Sequence, residues 1–212
     1  MIDKNRMPES QRRLSPSFLV LLAWLAFVGG LALIVGNVVG SVIVPDHDWV
    51  SDTVSDLAAG RYEIIQDVAL YGFAGTLTAL ALASAHLHGG GWQWSSLTVA
   101  LMLLAVCVVI IGARNEYGDG DNEGIVIHIY IVYAMGALFV AAFVLAARLF
   151  ADTARLFAKI SWCCAGVWTL GAPVFFVMST EYDGAWERGL GIISIVWTSA
   201  FAKELLSISA RK

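Results

Sequence analysis

Between residues 47 and 57 the chain sets a histidine, three aspartates and two serines in a row: His47-Asp48-Trp49-Val50-Ser51-Asp52-Thr53-Val54-Ser55-Asp56-Leu57. Asp52 and Asp56 are four apart, as are Ser51 and Ser55, so a helical turn here puts each pair on one face. Paired carboxylates with one imidazole, that of His128, suit a hard or borderline divalent ion. In that reading Asp52, Asp56 and His128 are metal ligands, and the ion lowers the pKa of a bound water towards ~7. Ser55, helped by Ser51, polarises a reacting carbonyl, and Ser55 and His128 are the catalytic residues. The pattern contains one histidine and no HExxH-type motif, so it is not specific to a metal.

A second chemistry uses the arginines. Arg61, Arg114 and Arg188 lie one to each of three acidic segments, and a guanidinium fork suits a lipid phosphate or a carboxylate. With Asp52, Asp56, Asp67, Glu116 and Glu181 they make a candidate ligand-binding constellation. The plainer alternative pairs each arginine with a neighbouring carboxylate, an exposed contact worth about 0–1 kcal/mol. A third reading is structural. Ser51, Asp52, Ser55 and Asp56 are all good helix N-caps, and Asp119-Gly120-Asp121 suits a tight turn rather than a calcium loop, whose remaining ligands are absent. Asp67 and His128 stand apart because each falls in the first turn of an apolar run. An ionisable group inside a bilayer costs roughly 2.5–3.5 kcal/mol at its centre and less near the interface. Both are expected to face the bundle interior, and a pair between them is the simplest way to satisfy both.

The elements that position these residues are apolar runs. The chain has 212 residues, 58% hydrophobic and 14% charged, against about 25% charged in soluble domains. Six runs reach or approach the ~20 residues that cross a bilayer: residues 18–44, 64–88, 95–113, 125–150, 157–180 and 189–206. The expected fold is all-α, a polytopic membrane bundle of six transmembrane helices over residues 17–207, with tails at 1–16 and 208–212. Pro173 is expected to kink the fifth span, and residues 181–188 to form a third acidic loop. With six spans, ten of the thirteen Lys and Arg fall on the side of both termini, and thirteen of the seventeen acidic residues fall on the other. Cytoplasmic loops carry the excess Lys and Arg, which predicts cytoplasmic termini in a plasma (inner) membrane and an outward acidic face. Cys107, Cys163 and Cys164 lie in apolar runs without CxxC spacing and read as small core residues. The basic residues look like topology signals, so nucleic acid is not an expected partner.

Val50-Ser51-Asp52-Thr53-Val54-Ser55-Asp56-Leu57 after the first span, a glycine-bearing second span and His128 opening the fourth resemble the bacterial and archaeal membrane family catalogued as domain of unknown function 998. Ser55-Asp56-Leu57 fits that family's Ser-Asp-Leu-type motif, and His128 fits its histidine after the third loop. The resemblance implies a six-helix integral membrane protein and draws attention to Ser55, Asp56 and His128, but implies no activity. At fold level only, the arrangement is similar to metal-dependent lipid hydrolases of the alkaline ceramidase type. It departs from them in lacking their additional spans and a late HxxxH pair.

The function expected first is non-enzymatic: an accessory or interaction subunit, or a binder of a lipid or small ligand in an outward-facing acidic pocket. Gly29, Gly30, Gly36 and Gly40 in the first span suit close association with another helix, from another membrane subunit or a second copy. The alternatives are a metal-assisted intramembrane lipid or amide hydrolase, and a small transporter.

Overall fold

The computed structural model describes residues 15–113 and 128–211. Ser15 accepts the Phe18 amide and Pro16 occupies the first turn, where its missing N–H costs nothing. Helix α1 (Pro16–Ile43) follows, 28 residues or about 42 Å long. After it come the single turn α2 (Val54–Leu57), a 3₁₀ turn over Gly60–Tyr62, α3 (Ile64–His86), α4 (Trp92–Ala113), α5 (His128–Leu149), α6 (Arg155–Phe175), a 3₁₀ turn over Thr180–Tyr182, and α7 (Asp183–Ala210). The described residues contain no strand.

Each long helix packs against the next in chain order, and α7 packs back on α1, so α1, α3, α4, α5, α6 and α7 form a closed ring. Five of the six, all but α6, are long and apolar enough to cross a membrane. Their outward faces carry large exposed apolar side chains, among them Trp24, Leu31 and Val42 of α1 and Val99, Leu103 and Val106 of α4. Lipid, not water, is the solvent for such an apolar surface, and the body of a helix can lie in lipid because its backbone groups there are satisfied internally. The chain is a membrane protein.

The ring is filled at one end only. There Phe150, Phe157, Trp197 and Phe201 stack with centroids 5–6 Å apart, and Phe143 joins them to Trp168 and Phe139. The buried Trp197 indole donates to Ser161 Oγ at 2.9 Å, and that hydroxyl donates to the Phe157 carbonyl. A ring of this size therefore finds a hydrogen-bond partner where no water reaches.

Three boundaries differ from expectation. Trp92 and Trp94 belong to α4 rather than to a turn. The fifth expected span, α6, ends at Phe175, two residues after Pro173, rather than near Thr180. Residues 183–188 are not loop but the first turns of α7. This last shift puts Arg188 on a helix and explains the site below.

Candidate functional site

α1 ends, α3 begins, α5 begins, α6 ends and α7 begins at the end of the ring opposite the aromatic stack, and the segment 44–63 lies across it. That segment is held by α7. A helix start leaves its first amides without internal partners. Here the Gly184 and Ala185 amides donate to the carbonyls of Ser51 (3.3 Å) and Val50 (3.0 Å). Gly184 has no alternative at its position: a Cβ there would collide with the Asp52 carbonyl.

One turn on, Arg188 is 7% exposed. Its Nη1 donates to the carbonyls of Trp49 (3.0 Å) and Asp52 (2.7 Å), Nε donates to Asn37 Oδ1 (3.1 Å) and Nη2 donates to His47 Nε2 (2.9 Å). The guanidinium also lies 4.7 Å from the Trp49 ring centroid, a cation–π distance. Its acceptors are an amide oxygen, two backbone carbonyls and an imidazole nitrogen, so Arg188 acts as a clasp joining α7, α1 and the loop. It is not laid out to receive an anion.

His47 completes the clasp. Accepting through Nε2 fixes the ring proton on Nδ1, which faces Asp52 Oδ2 at 3.4 Å. Burial and the Arg188 charge hold its pKa below the ordinary 6.5, although Asp52, Asp56 and Asp48 oppose them. An unfolded chain therefore binds this proton more readily than the folded one. The clasp's contribution to stability is complete above pH 6.5 and declines as pH falls below 6.5 towards the lowered folded value. Thermal unfolding in detergent should show a midpoint that drops between pH 7.5 and 5, and His47→Gln should flatten that drop.

The Ser-Asp repeat is divided between two jobs. Only Val54–Leu57 is helical, so Asp52 and Asp56 do not share a helix face. The N-cap is Thr53, which accepts the Asp56 amide at 3.1 Å, while Asp56 Oδ2 accepts the Thr53 amide (2.6 Å) and hydroxyl (2.9 Å). This is a capping box with aspartate in the glutamate position. Asp52 instead folds the loop, accepting the Asp48 amide at 2.8 Å and the Ser51 hydroxyl at 3.1 Å. The Val54 amide donates to Glu187 of α7 (2.7 Å), and Leu57, 1% exposed, packs over Gly40 of α1.

Ser55 is left facing inward, and its Oγ lies 3.3 Å from Nε2 of His128. His128 is 8% exposed, and its Nδ1 has no partner among the described residues. The expected pair between Asp67 and His128 is not formed: His128 turns to Ser55, and Asp67 Oδ1 is buried without a partner among the described residues. Among the described residues no group of three or more His, Cys, Asp and Glu side chains is placed to hold a metal. Asp52, Asp56 and His128 thus do not converge as a ligand set, since both aspartates face into their own loop. Arg61 is exposed and stacks on Tyr62, away from the other site residues. Arg114 and Glu116 lie outside the described residues.

Ser55 and His128 line a cavity of about 740 Å³ inside the ring. Asn37, Thr53, Asp183, Glu187 and Arg188 line it at the loop end. Leu33, Phe73, Val140 and Ile195 line it further in, where Phe139 and Trp168 close it against the aromatic stack. Along α5 the lining runs from His128 to Val140, twelve residues or about 18 Å. Sequence reasoning missed Asp183 and Glu187 as lining residues and His47 and Asn37 as partners of Arg188. Of these, Asn37 carries a signal in the sequence: it is the strongly polar residue of the otherwise apolar stretch 18–44.

A ring of apolar helices around an amphipathic cavity, capped by a loop clasped to the last helix, defines an integral membrane protein with an internal ligand-sized site. A family model, described as "Protein of unknown function (DUF998)", matches residues 27–203. The chain belongs to that family. No curated protein and no solved structure matches it.

Proposed function

We propose that this is a six-span plasma-membrane protein with cytoplasmic termini that binds a lipid, or a small molecule of similar amphipathic shape, in the cavity of its ring. The observation that carries the reading is the cavity's polarity: the charged groups gather at the loop end, and the remaining depth is lined mainly by apolar side chains, with the hydroxyls of Thr169 and Ser194 among them. Its volume sits within the ~300–1,000 Å³ usual for ligand sites. Its length of about 18 Å compares with ~15 Å, half the hydrocarbon thickness of a bilayer. A molecule with its head beside Ser55 and His128 and its tail towards Phe139 would fit one leaflet. The sixth span is α6. It is 21 residues long, packs between α5 and α7, and places Arg155 and Lys159 at the end opposite the acidic loops, in line with the positive-inside rule.

Two other roles are less well supported. The glycines that suit association with a partner are spent within the chain, because Gly29 and Gly36 pack against α3. The aromatic stack fills the ring beneath the cavity with large side chains, which disfavours transport.

Gly191 gives a direct test. It lines the cavity, and a Cβ there meets nothing within 4 Å, so Gly191→Phe can start into the space without a clash at its Cβ. Native mass spectrometry after mild detergent extraction should show lipid retained on the wild-type chain. Gly191→Phe should retain at least tenfold less while its unfolding temperature is unchanged or raised. Equal retention by both chains would remove the cavity as the binding site.

A further inference from the structure

We infer that Ser55 and His128 form a metal-free nucleophile–base pair that hydrolyses an ester-linked acyl chain of a lipid seated in the cavity; this rests on the lipid-binding reading above. Thr53, Tyr133, Thr169 and Ser194 also line the cavity with hydroxyls, but among the described residues Ser55 is the one of these that pairs with an imidazole. Thr53 is committed to capping α2, and the Ser194 hydroxyl donates to the Gly191 carbonyl at 2.7 Å. Ser55 is released from capping by Thr53, and its Oγ is 3.3 Å from an imidazole nitrogen that is itself buried. That separation is long for a hydrogen bond, but nucleophile–base contacts often tighten only with substrate present. Both side chains stand where the polar end of the cavity gives way to its apolar depth, the level at which the carbonyl of a lipid ester would lie.

The chemistry is balanced with water as the co-reactant. Ser55 Oγ forms a bond to the acyl carbon as its proton passes to His128 Nε2. The tetrahedral centre collapses, the ester C–O bond breaks, and the lipid alcohol leaves with the proton from Nε2. Water then attacks the acyl-serine and gives a proton to Nε2. The fatty acid is released and the proton returns to Ser55. A ring that accepts at Nε2 carries its own proton on Nδ1, which finds no partner among the described residues. Among the described residues the pair is therefore a dyad, with no third group on Nδ1.

A purely structural Ser55–His128 tie between α2 and α5 would not make the serine reactive, so reactivity is the discriminating readout. The full chain in lipid nanodiscs would be treated with a long-chain alkyl fluorophosphonate, and adducts located by intact-mass and fragment spectrometry. The expected result is one adduct per chain, on Ser55, absent in Ser55→Ala and formed at least about a hundredfold more slowly in His128→Gln, which retains a hydrogen-bonding side chain. No adduct on Ser55, or an unchanged rate in His128→Gln, overturns the dyad. If lipid is still retained and is lost in Gly191→Phe, the dyad alone has failed. If lipid is not retained either, the binding site has failed with it.

Discussion

Arg188→Ala is expected to cost about 3–4 kcal/mol, the large end of single-substitution effects, reached where a hydrogen-bond network is broken. It should also release residues 46–58 from the end of the ring. The size follows from what is left behind. The Trp49 and Asp52 carbonyls, the Asn37 amide oxygen and His47 Nε2, all in part-buried contacts, lose their donor, and each one that water then fails to reach costs about 1–3 kcal/mol. The aromatic end of the ring makes no contact with Arg188, so the damage should be local. Hydrogen exchange should rise by at least tenfold at residues 46–58 and stay unchanged in α4 and at Trp197. Arg188→Lys should recover only part of the loss, because a single ammonium cannot span acceptors on α1, the loop and His47 together. Uniform loss of protection along the chain, or none, would contradict the clasp.

Gly29→Val is the second large effect. Membrane helices gain no hydrophobic drive from packing against one another and rely on close van der Waals fit. α1 and α3 achieve it through glycine. A Cβ at Gly29 would collide with the Gly72 carbonyl oxygen and the Thr76 hydroxyl, and one at Gly36 with Ala69 Cβ. Thr76 Oγ1 already donates across the interface to the Ala26 carbonyl at 2.9 Å. Backbone cannot step aside as a side chain does, so the expected cost is about 3 kcal/mol, the upper range for overpacking. Gly75→Ala, three residues beyond Gly72 but facing open space, should be neutral or stabilising by up to about 1 kcal/mol. Unfolding of both variants in mixed micelles would measure the contrast. Similar costs at both positions would mean that helix propensity, not the interface, governs these glycines.

The helices were readable from the sequence because apolar runs and their breakers are local signals. Pro16, Pro45 and the apolar stretch between them bound α1 to within two residues. The start of α7 was hidden because Glu181 to Arg188 is acidic and glycine-bearing. Such composition reads as loop until one sees that the amides of Gly184 and Ala185 have distant carbonyls to meet. The division of labour inside the Ser-Asp repeat was hidden for a related reason. Four residues there can cap a helix, and Thr53, which does so, differs from them only in standing three before Asp56. Arg188 was picked out, but its partners were not. Two are backbone carbonyls, which carry no residue-type signal, and one is an asparagine 151 positions away. His128 was legible as a polar residue at the start of a span, while its preference for Ser55 over Asp67 depends on how α2 lies over the ring.

The dependence of residues 46–58 on α7 also sets an order of events at the ribosome. Asp52 and Arg188 are 136 positions apart, so at about 5–20 residues per second roughly 7 to 27 seconds separate their synthesis. For most of that interval, once α3 (Ile64–His86) has been made, the nascent chain has α1 and α3 available to associate, while Asn37 and the loop carbonyls still lack their donor. The capped end of the ring is consequently finished last, when the final helix enters the bilayer.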